Sequence, residues 1–107
     1  MRTISVAQDF TRYPSGRYKQ HSRTSGEEFR DRFLLEPLSK GEAILVDLDG
    51  TIGYGSSFLE EAFGGAARKL GMGADHLLGL MTIKAADPSL VDEITEYVKS
   101  AGTAKAS

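Results

Sequence analysis

The chain has 107 residues, 40% of them hydrophobic and 26% charged, and a formal net charge of −2. That composition suits one globular domain with a single modest core, and excludes an enzyme with a separate cap domain. Cysteine is absent and histidine occurs only at His21 and His76, which excludes disulfides, thiol catalysis, zinc-thiolate sites and multi-histidine metal centres.

In chain order, residues 2–7 alternate polar and apolar, with Ile4 and Val6 on one side, and predict a short half-buried strand. Residues 11–24 are polar, with a turn signal at Pro14-Ser15-Gly16 and a second, edge strand expected at 17–20. Residues 1–24 hold five basic side chains (Arg2, Arg12, Arg17, Lys19, Arg23) against one acid, Asp9, so this arm is +4 and the remainder −6. A basic arm either seeks phosphate or an acidic partner, or is simply solvated. Arg17, Lys19 and Arg23 are its candidate anion-binding residues, with His21 beside them.

Ser25-Gly26-Glu27-Glu28 is a capping box, and the helix after it carries Phe29, Phe33 and Leu34 on one face until Pro37 stops or kinks it near residue 36. Residues 43–46 are continuously apolar and predict a central strand covered on both faces. A glycine-rich loop over 50–55 follows. Ser57-Phe58-Leu59-Glu60 reads as a second capping box, and Phe58, Leu59, Ala62, Phe63, Ala66 and Leu70 line the next helix. Glycines 64 and 65 inside it imply a close neighbour, since each costs about 1 kcal/mol relative to alanine. Residues 77–83 predict a further strand, and Asp87-Pro88 an N-cap and first helical residue for a last helix reaching about residue 100. The alternation describes a single α/β domain over residues 1–101. Its expected sheet is mixed and four- or five-stranded, packed with about three helices, with a flexible tail at 102–107.

Two resemblances bear on function. Residues 44–52, Ile-Leu-Val-Asp-Leu-Asp-Gly-Thr-Ile, resemble the first motif of haloacid-dehalogenase-type phosphatases. That likeness implies a small magnesium-dependent phosphatase with Asp47 as nucleophile and Asp49 as acid/base. Thr82 and Lys84 follow a later apolar run, but no acidic pair ends a further strand, because Asp92-Glu93 falls inside the last predicted helix. The competing reading of Asp47 and Asp49 is structural, with both carboxylates fixing the next loop.

The second resemblance is wider. The acidic strand end, the glycine loop, the Ser57-Phe58-Leu59-Glu60-Glu61 helix start and the following Phe63-Gly64 resemble bacterial STAS-like domains of unknown function. These are small relatives of the sulfate-transporter and anti-sigma-factor-antagonist fold. Ser25 to Arg30 and the turn at residues 14–17 resemble their N-terminal half, so the likeness runs over residues 2–100. It implies a non-enzymatic regulatory interaction module without a cofactor. Its protein partner would be an anti-sigma-type ATPase kinase, with a homodimer as the other arrangement open to it. In true antagonists a serine at the equivalent helix start, within Asp-Ser-Ser-Gly, is phosphorylated. Here the pattern falls on Gly55-Ser56-Ser57-Phe58, which matches Ser57 to the phosphosite and Ser56 to its neighbour, with Gly55 and Phe58 departing from it. The implied interaction surface is Asp49, Tyr54, Gly55, Phe58, Glu60 and Glu61. Tyr54 either anchors contacts from the loop tip or folds back on the core. Tyr13 and Tyr18 interleave with arginines, but no RNA-recognition or helix-turn-helix signature accompanies them, and nucleic acid is not expected. No run of about 18 apolar residues occurs, so no membrane span is expected, and the absence of a signal-peptide stretch makes the cytoplasm the expected location.

Overall fold

A computed structural model describes the backbone of residues 1–106 and the side chains of residues 1–101. The expected tail at 102–107 lies outside the described side chains. Strand β1 (Arg2–Ser5) is followed by one π-helical turn, Val6–Phe10. The expected strand over 2–7 stops early because Ser5 starts that turn. The Ser5 Oγ accepts the Gln8 N–H at 3.1 Å, and the Asp9 carboxylate accepts the Ser5 N–H at 2.7 Å. This reciprocal capping closes a helical turn where an extended chain would leave both groups to water.

The arm over residues 11–25 forms turns, and the edge strand expected at 17–20 is absent. Its backbone is already committed: the carbonyls of Gly16 and Arg17 accept the N–H groups of Gly26 and Glu27, each at 3.0 Å. The arm therefore satisfies the orphan donors at the start of helix α1.

Helix α1 covers residues 26–39 as Gly26–Phe29, a π turn at Arg30–Leu34, and Leu35–Ser39, all in right-handed helical conformation. The Ser25 hydroxyl caps it, accepting the Glu28 N–H at 3.1 Å. Pro37 does not end the helix, which runs on to Ser39. The π turn lies directly upstream, where Pro37 removes one N–H from the regular ladder.

Strand β2 (Ile44–Asp47) is central. It pairs in parallel with β1 on one side and with β3 (Met81–Lys84) on the other, in the order β1-β2-β3. The sheet of the described residues thus has three strands, all parallel, rather than four or five in a mixed arrangement. Register places Ile4, Val46 and Ile83 on one face and Thr3, Leu45 and Thr82 on the other. Ile4 and Val46 are buried in the core, whereas Thr3 and Thr82 are exposed and Leu45 is half-buried. Strand β2 is therefore covered on one face only. The apolar run over 43–46 reads as doubly covered because it ignores its neighbours, which flank Leu45 with threonines.

Helix α2 covers residues 56–70 as Ser56–Leu59, a π turn at Glu60–Gly64, and Gly65–Leu70. It ends at Gly71, whose left-handed φ of 66° favours glycine. Helix α3 (Ala74–Leu80) takes most of the span expected as a strand, and β3 begins only at Met81. A short apolar run such as Leu77 to Leu80 fits either element by periodicity. Asp75 in the first turn complements the helix dipole. Helix α4 (Pro88–Ala106) starts as predicted, with the Asp87 carboxylate accepting the Ser89 N–H at 3.0 Å. It is longer than the residue 100 limit expected.

The core is centred on Phe29. Its ring meets Phe33 at 5.3 Å, Phe10 at 5.5 Å, Phe58 at 6.1 Å and Phe63 at 6.2 Å between centroids. Three glycines let the helices close on this centre. A Cβ on Gly26 would collide with the Phe58 carbonyl, one on Gly64 would come within 3.2 Å of the Tyr97 carbonyl, and one on Gly65 within 2.8 Å of the Arg30 guanidinium. The Gly64-Gly65 pair thus has the packing reason its sequence position implies.

Candidate functional site

The parallel strands deliver their carboxyl ends to one edge of the domain, where open α/β sheets present ligands and partners. Asp47 ends β2 and Asp49 opens the next loop. The Asp47 Oδ1 accepts the Asp49 N–H at 3.0 Å, and the Asp49 Oδ1 accepts the Ala86 N–H at 2.8 Å. Lys84 places its Nζ 3.5 Å from both carboxylates, and the neighbouring Asp47 charge, then Asp49, raises its pKa. The pair thus does what the structural reading of the motif expects: it ties the ends of β2 and β3 to the loops that follow. An open cavity of about 440 Å³ lies beside it, between Ser5, Gln8, Arg12, Asp47 and Gly50. Among the described residues no three histidine or carboxylate side chains gather as a metal site.

The loop over 50–55 turns through two glycines with positive φ, Gly50 at 97° and Gly53 at 146°. Tyr54 folds back: its hydroxyl donates to the Leu48 carbonyl at 2.7 Å, and its ring lies 5.8 Å from Phe58. Burial, helped by the Asp47 and Asp49 charges, pushes its phenol up to about 12. Ile52 occupies the exposed tip instead, at 77% exposure, with its N–H donating to the Arg12 carbonyl at 3.0 Å. Helix α2 is capped by the backbone of Gly55, without a side-chain cap bond. Ser57 is therefore not the N-cap that the capping-box pattern predicts. It sits inside the first turn, and Glu60 is drawn away to arginines. Gly55, Ser56 and Ser57 are exposed, whereas Phe58 lies wholly in the core.

Glu60 and Glu61 belong to an ionic network that the sequence did not reveal. Glu61 receives the buried Arg30 guanidinium at 2.6 Å and Arg17 at 3.2 Å. Glu60 receives Arg17 at 2.5 Å and Arg68 at 2.6 Å. Arg68, then Arg17, holds the Glu60 carboxyl below its usual range against the opposing effect of burial. Lys19 reaches Asp31 at 2.6 Å, and Asp31 also accepts from the Arg30 Nε at 2.9 Å. Burial pushes the Asp31 carboxyl up, but Lys19 and Arg30 more than offset it and leave it low. Of the three basic residues expected to bind anions, Arg17 and Lys19 are thus neutralised within the chain. Arg23 is exposed and has no ion-pair partner among the described residues. The π turns of α1 and α2 bring Arg30 and Glu61 face to face; no heptad or helical period signals that contact. The one clue in sequence is Gly65, where a side chain would strike Arg30.

A family model described as STAS-like domain of unknown function (DUF4325) matches residues 25–90. The chain belongs to this STAS-like family. The match begins at the Ser25 cap and takes in β2, the glycine loop, α2, α3 and β3 of the STAS-like domain. It is narrower than the 2–100 span of the resemblance and omits β1 and the arm. No curated protein and no solved structure matches the chain. No helix among the described residues of the STAS-like domain is long and apolar enough to cross a membrane.

Proposed function

We propose that this STAS-like domain is a non-catalytic regulatory module that docks a protein partner through loop 50–55 and the start of α2, and that phosphorylation of Ser57 switches the docking. One observation carries the reading. Ser56 and Ser57 are exposed on the first turn of a long helix, while the acidic pair one turn on is turned inward onto Arg17, Arg30 and Arg68. A phosphate on Ser57 would therefore meet the free N–H groups and positive dipole end of α2, with Glu60 and Glu61 already neutralised. Ser57 is the better candidate of the two, because Ser56 lies beside the Tyr97 hydroxyl. The partner type that fits is an anti-sigma-type ATPase kinase, with a second copy of the chain as the alternative. Asp47 and Asp49 act as loop anchors in this reading rather than as nucleophile and acid/base.

The test is recovery of tagged protein from its native host, with mass spectrometry of bound and modified species. We expect phosphate on Ser57 and a kinase-type ATPase among the partners. With that partner in hand, Ser57→Glu should weaken binding more than Ser57→Ala. Equal affinities would remove the switch.

A further inference from the structure

The docking surface has a rim that narrows the chemistry of its partner. Ile52 is 77% exposed and Tyr13 is 60% exposed, and one backbone bond brings the loop that holds Ile52 beside the arm that holds Tyr13. The Ile52 N–H donates to the carbonyl of Arg12, immediately before Tyr13, at 3.0 Å. Tyr13 is itself pinned on both sides: its N–H donates to the Thr11 hydroxyl at 3.0 Å, and its carbonyl accepts the Thr24 hydroxyl at 3.1 Å. Two large apolar side chains thus stand in water on anchored backbone, where folding gives neither a partner. Burying apolar surface contributes in proportion to its area, and both side chains offer most of theirs to a partner.

The charges beside them differ from the rest of the arm. Arg17 and Lys19 are bound to Glu60, Glu61 and Asp31. Arg12 and Arg23 are exposed and, among the described residues, take part in no ion pair. Both lie at the rim, since Arg12 adjoins Tyr13 and provides the Ile52 contact, while Arg23 precedes Thr24, whose hydroxyl holds the Tyr13 carbonyl. Resting on the docking reading above, we propose that this rim binds an acidic protein segment carrying an apolar anchor. Ile52 and Tyr13 cover the anchor, and Arg12 and Arg23 take the carboxylates as planar, bidentate donors. Single-stranded nucleic acid fits less well. It needs a continuous cationic track with stacking rings, and here the charges beside Tyr18 are spent within the chain.

Selection of short random peptides displayed on phage, with immobilised wild-type protein as bait, tests the proposal. Expected is enrichment of sequences rich in Asp and Glu around a Leu, Ile, Phe or Trp. By fluorescence anisotropy, Ile52→Ser and Tyr13→Ser should each weaken such a peptide by about tenfold. Arg12→Ala with Arg23→Ala should erase the preference for acidic over basic peptides, and Lys99→Ala should change nothing. Circular dichroism confirms that each variant is folded. The proposal fails if basic or uncharged peptides are enriched equally, if the variants bind as wild type, or if single-stranded RNA binds more tightly through the same residues. A host partner that responds to Ser57→Glu but ignores Tyr13→Ser and Ile52→Ser would refute the rim and leave the docking reading standing.

Discussion

Replacing Glu61 by leucine tests the ionic network directly. The Arg30 side chain is 3% exposed and its Nη1 lies 2.6 Å from the Glu61 carboxylate. Removing one member of a buried pair costs about 3–5 kcal/mol, because the other charge is left without solvent or partner. Here the loss is moderated, since Arg30 keeps Asp31 at 2.9 Å and a distant Glu27 at 3.9 Å. The lower end, about 3 kcal/mol, is therefore expected. For a domain of this size that lowers the midpoint of thermal unfolding by about 12 °C. Far-UV circular dichroism on heating, with a urea titration alongside, measures it. The double variant Arg30→Met, Glu61→Leu should recover most of the loss, because two apolar side chains of similar volume remove the desolvation cost with the charge. Gly65 supplies the internal control. A Cβ there would lie 2.8 Å from the Arg30 Nη1, so Gly65→Ala should destabilise the wild type. In the Arg30→Met, Glu61→Leu background the Arg30 Nη1 and the Glu61 Oε2, which that Cβ would meet at 3.2 Å, are both gone, so Gly65→Ala should cost less there than in the wild type, helix propensity adding up to about 1 kcal/mol in its favour. A Glu61→Leu midpoint close to wild type, or a double variant worse than either single one, would refute the account of a buried pair whose members need each other.

Gly26→Ala should cost about 3 kcal/mol or prevent folding, because the Phe58 carbonyl behind it is helix backbone and cannot give way; chemical denaturation reads this. Glu60 is held below its ordinary value of 4.5, so its contribution to stability is present above that pH and is lost as pH falls through the depressed value. Urea stability measured from neutral to acid pH should therefore fall less steeply for Glu60→Gln than for wild type; parallel curves would contradict the pairing. Tyr54→Phe should cost about 1–2 kcal/mol, since the Leu48 carbonyl loses its donor. The Tyr54 phenol is raised to about 12, so its contribution persists through pH 10 and is lost as pH rises through the higher value. The ultraviolet difference titration between wild type and Tyr54→Phe should show no phenol ionising near 10.

Much of the STAS-like domain was open to reading from local chemistry. The Ser25 and Asp87 caps, the central strand at 44–47 and the apolar face of α2 all follow from neighbours within a few positions. Capping and helical periodicity act over one or two turns, so the residues that decide them adjoin in sequence. The resemblance carried by the loop and helix start holds for the same reason.

Tertiary structure decided the rest. It turned residues 74–80 into a helix, left Leu45 between two threonines on an open sheet face, and spent the arm's backbone on the first turn of α1. It also paired Arg17 and Lys19 with acids further along the chain, and it set Ile52 rather than Tyr54 at the loop tip. Each of these outcomes is a competition for one partner between groups distant in sequence. A carboxylate or a carbonyl accepts whichever donor the fold brings within about 3 Å, and no local pattern records which donor that is.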